Sequence, residues 1–202
     1  LSLLWISPCW IGASFFMMSL ISPNQPKKQV TLINVIFWLI IALVTGSFAG
    51  MFLGPKGFLP KLSYWFGHQG WEYVELGKVW QILLGAALVL WAVIIYRGIK
   101  PVMKVKQPWA LPNWLLYAIG SVIILFISGF IATPKTNFVI TDFWRWMVVH
   151  MWAEAFFEVF TTVLIGYFMV MMGLVNKQAV VRVIYLATLL FLGSGLLGIS
   201  HN

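Results

Sequence analysis

His150, Glu154 and Glu158 stand four residues apart in the run Asp142-Phe-Trp-Arg-Trp-Met-Val-Val-His150-Met-Trp-Ala-Glu154-Ala-Phe-Phe-Glu158. At helical pitch this spacing carries one imidazole and two carboxylates up one face of one helix. The residues around them are mostly apolar, so these ionisable groups stand where charge is costly. Such groups face the interior of a bundle and mark a path for ions, protons or substrate. Imidazole together with carboxylate suits a first-row transition metal such as iron, and open positions on that metal suit redox chemistry on a small gas. Blander alternatives remain. A lone His on a helix face is ordinarily packed or hydrogen-bonded. Glu158 alone reads equally as a structural carboxyl, protonated by desolvation, or as a proton-relay group. Asp142 and Arg145 read as a helix N-cap and a solvated pair.

A second polar constellation is Gly67-His68-Gln-Gly-Trp71-Glu72-Tyr73-Val-Glu75-Leu-Gly-Lys78-Val-Trp80-Gln81. It reads as a surface loop whose acidic residues open a helix, a favourable arrangement for the macrodipole. It also reads as a polar cap over a cofactor, with Glu72 and Glu75 turned toward it.

The elements that must position these residues are membrane spans. Of 202 residues, 61% are hydrophobic and only 9% charged, against roughly a quarter charged in soluble domains. The apolar residues fall in long blocks, and a helix needs about 20 of them to cross the hydrocarbon core. Only helices or closed barrels satisfy every backbone polar group in lipid, and blocks this uniform favour helices. The fold class is therefore all-α, a polytopic transmembrane bundle. Six segments stand out, at 1–21, 30–52, 79–96, 114–132, 143–175 and 179–199. They read as one transmembrane domain over 1–202 with no internal boundary. Gly46 and Gly50 form a GxxxG, a helix-contact signal. The chain starts inside one apolar run and stops directly after another, so the expectation is a fragment of a longer subunit.

A net charge of +8 does not point to nucleic acid, because the Lys and Arg residues lie between apolar blocks. The connections after spans one, three and five, with their flanks, hold Lys27, Lys28, Arg97, Lys100, Lys104, Lys106, Lys177 and Arg182 and no acidic residue. The positive-inside rule puts them in the cytoplasm. The single Cys9 rules out an intramolecular disulfide or a thiolate metal cluster within this chain.

Depth then brings two histidines together. His150 lies about eight residues into span five from outside, roughly 12 Å at helical rise. Span six enters from inside near Gln178 and reaches His201 after about 23 residues, roughly 35 Å. Both imidazoles are expected in the outer half of the membrane.

At these residues the sequence resembles the catalytic subunit of nitric oxide reductases, within the haem-copper oxidase superfamily. His150-Met-Trp-Ala-Glu154-Ala-Phe-Phe-Glu158 is similar to that family's His-x-x-x-Glu-x-x-x-Glu helix. Gly198-Ile-Ser-His201-Asn202 is similar to its Gly-x-x-His-His motif, and Trp71-Glu72-Tyr73-Val74-Glu75 to its Glu-Tyr-Leu-Glu element. The resemblance covers the whole chain and looks more like the quinol-dependent branch. It implies that His150 and His201 ligate a non-haem iron called FeB, with Glu154 as a further ligand or close neighbour. It implies proton delivery or local electrostatics for Glu158. It puts Glu72 and Glu75 near haem propionates, Glu72 at a position that binds calcium in cytochrome-dependent members. The haem b ligands it implies lie outside this chain, before Leu1 and after Asn202.

One position departs from the pattern. Asn202 stands where the family has a second histidine, and an amide oxygen is a weaker, harder ligand than imidazole. His-Asn here resembles the nitric oxide dismutases, which turn two NO into N2 and O2. The expectation is an NO-converting oxidoreductase of respiratory denitrification chemistry in a bacterial cytoplasmic membrane. It is inactive as this piece alone, with NO as substrate and membrane lipid around it. The alternatives are a quinol-dependent reductase making N2O and, from another class, a proton or ion transporter using the intramembrane carboxylates.

Overall fold

The computed structural model of the protein describes residues 2–24, 26–53, 63–70, 74–103, 107 and 110–198. Among the described residues eight α-helices run in the order α1 (Ser2–Ile21), α2 (Lys27–Leu53), α3 (Ser63–Phe66), α4 (Lys78–Ile99), α5 (Leu111–Ile127), α6 (Phe138–His150), α7 (Thr161–Met171) and α8 (Lys177–Gly198). A π-helical segment, Met151–Phe160, joins α6 to α7. The expected all-α transmembrane bundle is the fold observed, and no strand occurs among the described residues.

Five helical stretches among the described residues are long and apolar enough to cross a membrane. They are Lys27–Phe52, Lys78–Val102, Leu111–Phe130, Phe138–Met171 and Lys177–Ser194. α1 supplies a shorter apolar helix, Pro8–Ile21. Each span starts within a few residues of its expected position, because breakers set the starts. Pro112 stands in the first turn of α5 and has no N–H to lose there. Asn137 opens α6, where its Oδ1 accepts the Val139 N–H at 2.9 Å. Asp142 is therefore not the N-cap expected of it. It lies four residues beyond Phe138 and pairs with Arg145 at 2.5 Å, both side chains about one-fifth exposed. The pair is thus half-buried, not solvated.

Ends of alternate helices meet, as in an up-and-down bundle. Gln29 at the start of α2 donates through Nε2 to the Ile94 carbonyl near the end of α4. Trp80 at the start of α4 donates through Nε1 to the Phe66 carbonyl at 2.7 Å. Gly46 and Gly50 make that second contact possible. A Cβ on Gly46 would run into the Trp80 ring, and one on Gly50 into the Phe66 carbonyl. The GxxxG thus holds an indole and a backbone carbonyl from α4 and α3.

The core lies where α4, α5, the π segment and α7 converge. Trp91, Ile94, Leu115, Ile119, Phe156 and Phe160 are all essentially inaccessible there. The outward surface is apolar too: Trp38, Ile124, Val139 and Leu189 are more than 60% exposed. In water that surface would aggregate, and in hydrocarbon it is the matching solvent.

Candidate metal centre

The site is built on the junction of α6 and the π segment. π-Helical turns are rare in proteins and concentrate at functional positions. Here the widened turn begins directly after His150. It is fixed on one flank by an aromatic stack, with Phe156 and Phe160 at 5.3 Å between ring centroids and Trp91 of α4 edge-on to Phe160 at 5.2 Å. These rings pack the side facing α4 and α5 and keep water from it.

His150 is 8% exposed. Its Nδ1 lies 2.6 Å from the Trp146 carbonyl. A carbonyl can only accept, so Nδ1 carries the proton and donates it. Nε2 is then the nitrogen through which this imidazole would bind a metal. Backbone-anchored imidazole of this kind is how proteins fix the tautomer and aim of a metal-ligating histidine.

Glu154 follows one turn on and is half-buried. Its Oε2 is buried and has no hydrogen-bond partner among the described residues. Its Oε1 lies 3.5 Å from the Ser194 hydroxyl of α8. Ser194 has a single proton and donates it at 2.7 Å to the Leu190 carbonyl. The carboxylate is therefore held beside α8 without being satisfied by it. An imidazole fixed through Nδ1, with a carboxylate oxygen unpartnered among the described residues four positions on, fits the donor set of a non-haem iron. Among the described residues no group of three or more His, Cys, Asp or Glu is arranged around a common point.

Glu158 departs from the one-face expectation. His150 is buried and Glu154 half-buried, whereas Glu158 is exposed on the surface of the bundle. Four-residue steps on a regular α-helix already drift by about 40° each, since 3.6 residues make a turn. The π segment alters that drift again, so the three groups do not share one direction.

His201, Asn202 and Glu72 lie outside the described residues. Glu75 is exposed and precedes α4 without opening it. Its carbonyl accepts the Gln69 N–H at 2.8 Å, and the Gly67 carbonyl accepts that of Gly77 at 3.0 Å. Residues 67–70 and 74–77 are thus paired with each other directly before the start of α4. Gly70 has φ of 85°, a conformation glycine adopts readily.

Three contributors escaped the sequence reading. The Trp146 carbonyl is legible only as a residue one turn before a histidine. Ser194 has the depth to meet Glu154 but no distinguishing type. Lys78, apparently a loop charge in sequence, is buried at 6% exposure beside Gln81 at 4%. A family model described as cytochrome C and quinol oxidase polypeptide I matches residues 1–202.

Proposed function

This chain belongs to the cytochrome c and quinol oxidase polypeptide I family, and from that premise we propose that it is part of a nitric-oxide-converting membrane enzyme of the dismutase type. Members of the family are oxidoreductases of haem-copper oxidase type that bind haem and metal centres, and the protein is an integral membrane protein. The finer reading rests on one observation above all. His150 is held through Nδ1 by the Trp146 carbonyl, and Glu154 Oε2 is buried with no hydrogen-bond partner among the described residues, on a helix that reads His-x-x-x-Glu-x-x-x-Glu. His201-Asn202 in place of His-His is what favours dismutation of NO over its reduction.

When bound, haem b and the non-haem iron supply the redox chemistry on NO. The chain's own part is narrower. His150 offers its Nε2, aimed by the Nδ1–H bond to Trp146. Glu154 offers a hard oxygen donor, and Asn202 and His201 complete the set. Phe156, Phe160 and Trp91 exclude water from one flank. Glu158 adds a negative charge or a proton-carrying group at the bundle surface, and Glu72 and Glu75 serve the haem propionates or calcium. The site lies in the outer half of a bacterial cytoplasmic membrane.

The bookkeeping separates the two NO reactions. Two NO can become N2 and O2 with no external electrons or protons. Reduction to N2O and water needs two of each, supplied from quinol and solvent. The complete enzyme given isotope-labelled NO without quinol is expected to release labelled N2 and O2. Labelled N2O appearing only with quinol would replace this reading by the quinol-dependent reductase, which the wording of 67–81 favours. A purified complete protein lacking haem absorption bands would instead support a carboxylate-based transporter.

A further inference from the structure

A groove runs between α1 and α2. Pro8, Gly12 and Phe15 of α1 and Ile33, Phe37 and Ile41 of α2 line a cavity of about 290 Å³ whose walls are almost wholly apolar. Gly12 keeps it open, since a Cβ built there meets no heavy atom within 4 Å. Phe37 and Ile41 are exposed at its mouth. α1 ends at Ile21 and α2 begins at Lys27. Counted from those ends at helical rise, the groove starts about 9 Å in, at Phe15 and Ile33, and stops about 20 Å in, at Pro8 and Ile41. A bilayer with its headgroups is about 40–45 Å thick, so one leaflet takes up about 20 Å. The groove thus spans the depth range of the acyl chains of one leaflet.

The end of the bundle at which this leaflet meets water is basic. Lys27 and Lys28 are exposed there at the start of α2, and Arg97 and Lys100 at the end of α4. The bond from Gln29 Nε2 to the Ile94 carbonyl ties those two helix ends together. The connections 22–26 and 101–110 hold no Asp or Glu to neutralise the four cations. Lys100 Nζ also lies 5.9 Å from the centroid of the exposed Tyr96 ring, an aromatic at headgroup level. Lys27, Asn34 and Ile41 recur every seven residues and so form one stripe along α2. The stripe runs from an exposed ammonium through an exposed amide to the rim of the groove. Asn34 stands about 10 Å below Lys27, and an amide facing bare hydrocarbon there would be costly. A glycerophospholipid presents the matching order: a phosphate, then ester oxygens, then a chain.

We infer that α1 and α2 form a binding site for one anionic glycerophospholipid. Its phosphate sits at Lys27 in the field of Lys28, Arg97 and Lys100, its ester oxygens meet the Asn34 amide, and one acyl chain fills the groove. A zwitterionic lipid offers the same chain, but its own cation opposes the lysines, so charge is what selects the occupant. The inference stands on the membrane fold alone and is independent of the reaction proposed above.

The test uses the complete protein reconstituted in phosphatidylcholine vesicles. A trace of phosphatidylglycerol carries a photoactivatable diazirine midway along one acyl chain, and labelled peptides are mapped by mass spectrometry after irradiation. Label is expected within 8–15 and 33–41, and excess unlabelled phosphatidylglycerol should remove it. A phosphatidylcholine probe with the same diazirine chain should label these stretches no more than the rest of the lipid-facing surface. Gly12→Leu places a side chain in the groove and should abolish the label there. K27Q/K28Q should lower it about tenfold, and K27R/K28R should keep it. The comparison of the two probes needs no variant, so it decides the matter should a substitution prevent folding. Equal labelling by both probes, or labelling that Gly12→Leu leaves unchanged, overturns the inference. So does the absence of label from both stretches, the result expected if another helix or a second copy of the chain fills the groove.

Discussion

Two polar groupings lie inside this bundle, and they are finished differently. On the α1–α4 side, Trp91 Nε1 donates to Ser14 Oγ at 2.8 Å, and Ser14 donates in turn to the Ile11 carbonyl at 2.6 Å. Each proton there has an acceptor on a neighbouring turn or helix. At the junction of α6 and the π segment, His150 is held through Nδ1 and Glu154 Oε2 is buried with no hydrogen-bond partner among the described residues. A closed pair contributes to helix association and can do nothing else. An unpartnered carboxylate oxygen costs stability, and its retention in a membrane core points to a ligand that closes it.

The largest expected effect separates the two groupings outright. His150→Ala or Glu154→Gln in the complete enzyme should abolish NO turnover, exceeding the roughly 10–100-fold loss typical of outer-shell partners of a metal site. Iron content and NO consumption measured on the same sample check it. Full iron with retained turnover would erase the distinction between the two groupings. On the closed side, Trp91→Ala removes a fully buried ring from beneath the π segment. Its cost should be about 3–5 kcal/mol, read as a lower melting temperature in detergent. Gly50→Ala is next, because the added methyl meets the Phe66 backbone carbonyl. It should cost about 1–3 kcal/mol and free the Trp80 indole, visible as a change in tryptophan fluorescence. Ser14→Ala, which removes the acceptor of the Trp91 indole, should cost only about 0.6–1.7 kcal/mol in a membrane core and leave NO turnover unchanged. Turnover lost in Ser14→Ala without unfolding would mean that the closed pair also serves the chemistry. The smallest effect belongs to Ser194→Ala. Its hydroxyl already spends its proton on Leu190, so turnover should change less than in either His150→Ala or Glu154→Gln.

The limits of the sequence are clearest at particular residues. Membrane spans were legible because the hydrocarbon core demands long apolar runs and tolerates no open backbone, a constraint written directly in composition and order. His150 and Glu154 were legible because ionisable residues inside such runs are costly enough to be conspicuous. Asp142 misled, since a carboxylate near a helix start looks like a cap, and the competing signal of Asn137 four residues before Thr141 is short and local. Lys78 misled in the same way, because nothing in a linear charge pattern distinguishes a lysine at the surface from one enclosed by Gln81, Gly129 and Phe130.

By itself, then, the sequence determined the solvent this protein folds in, the rough limits of its spanning helices, and the residue types at its centre. Those follow from local physics, namely transfer into lipid, helix rise and the cost of buried charge. Only the tertiary structure decided which of those residues are open. It turned Glu158 outward from His150 through a π-helical segment, set the His150 tautomer through the Trp146 carbonyl, and left Glu154 Oε2 without a donor among the described residues. Each of these depends on helices packed against one another, and no spacing along the chain encodes which oxygen a neighbouring helix will fail to satisfy.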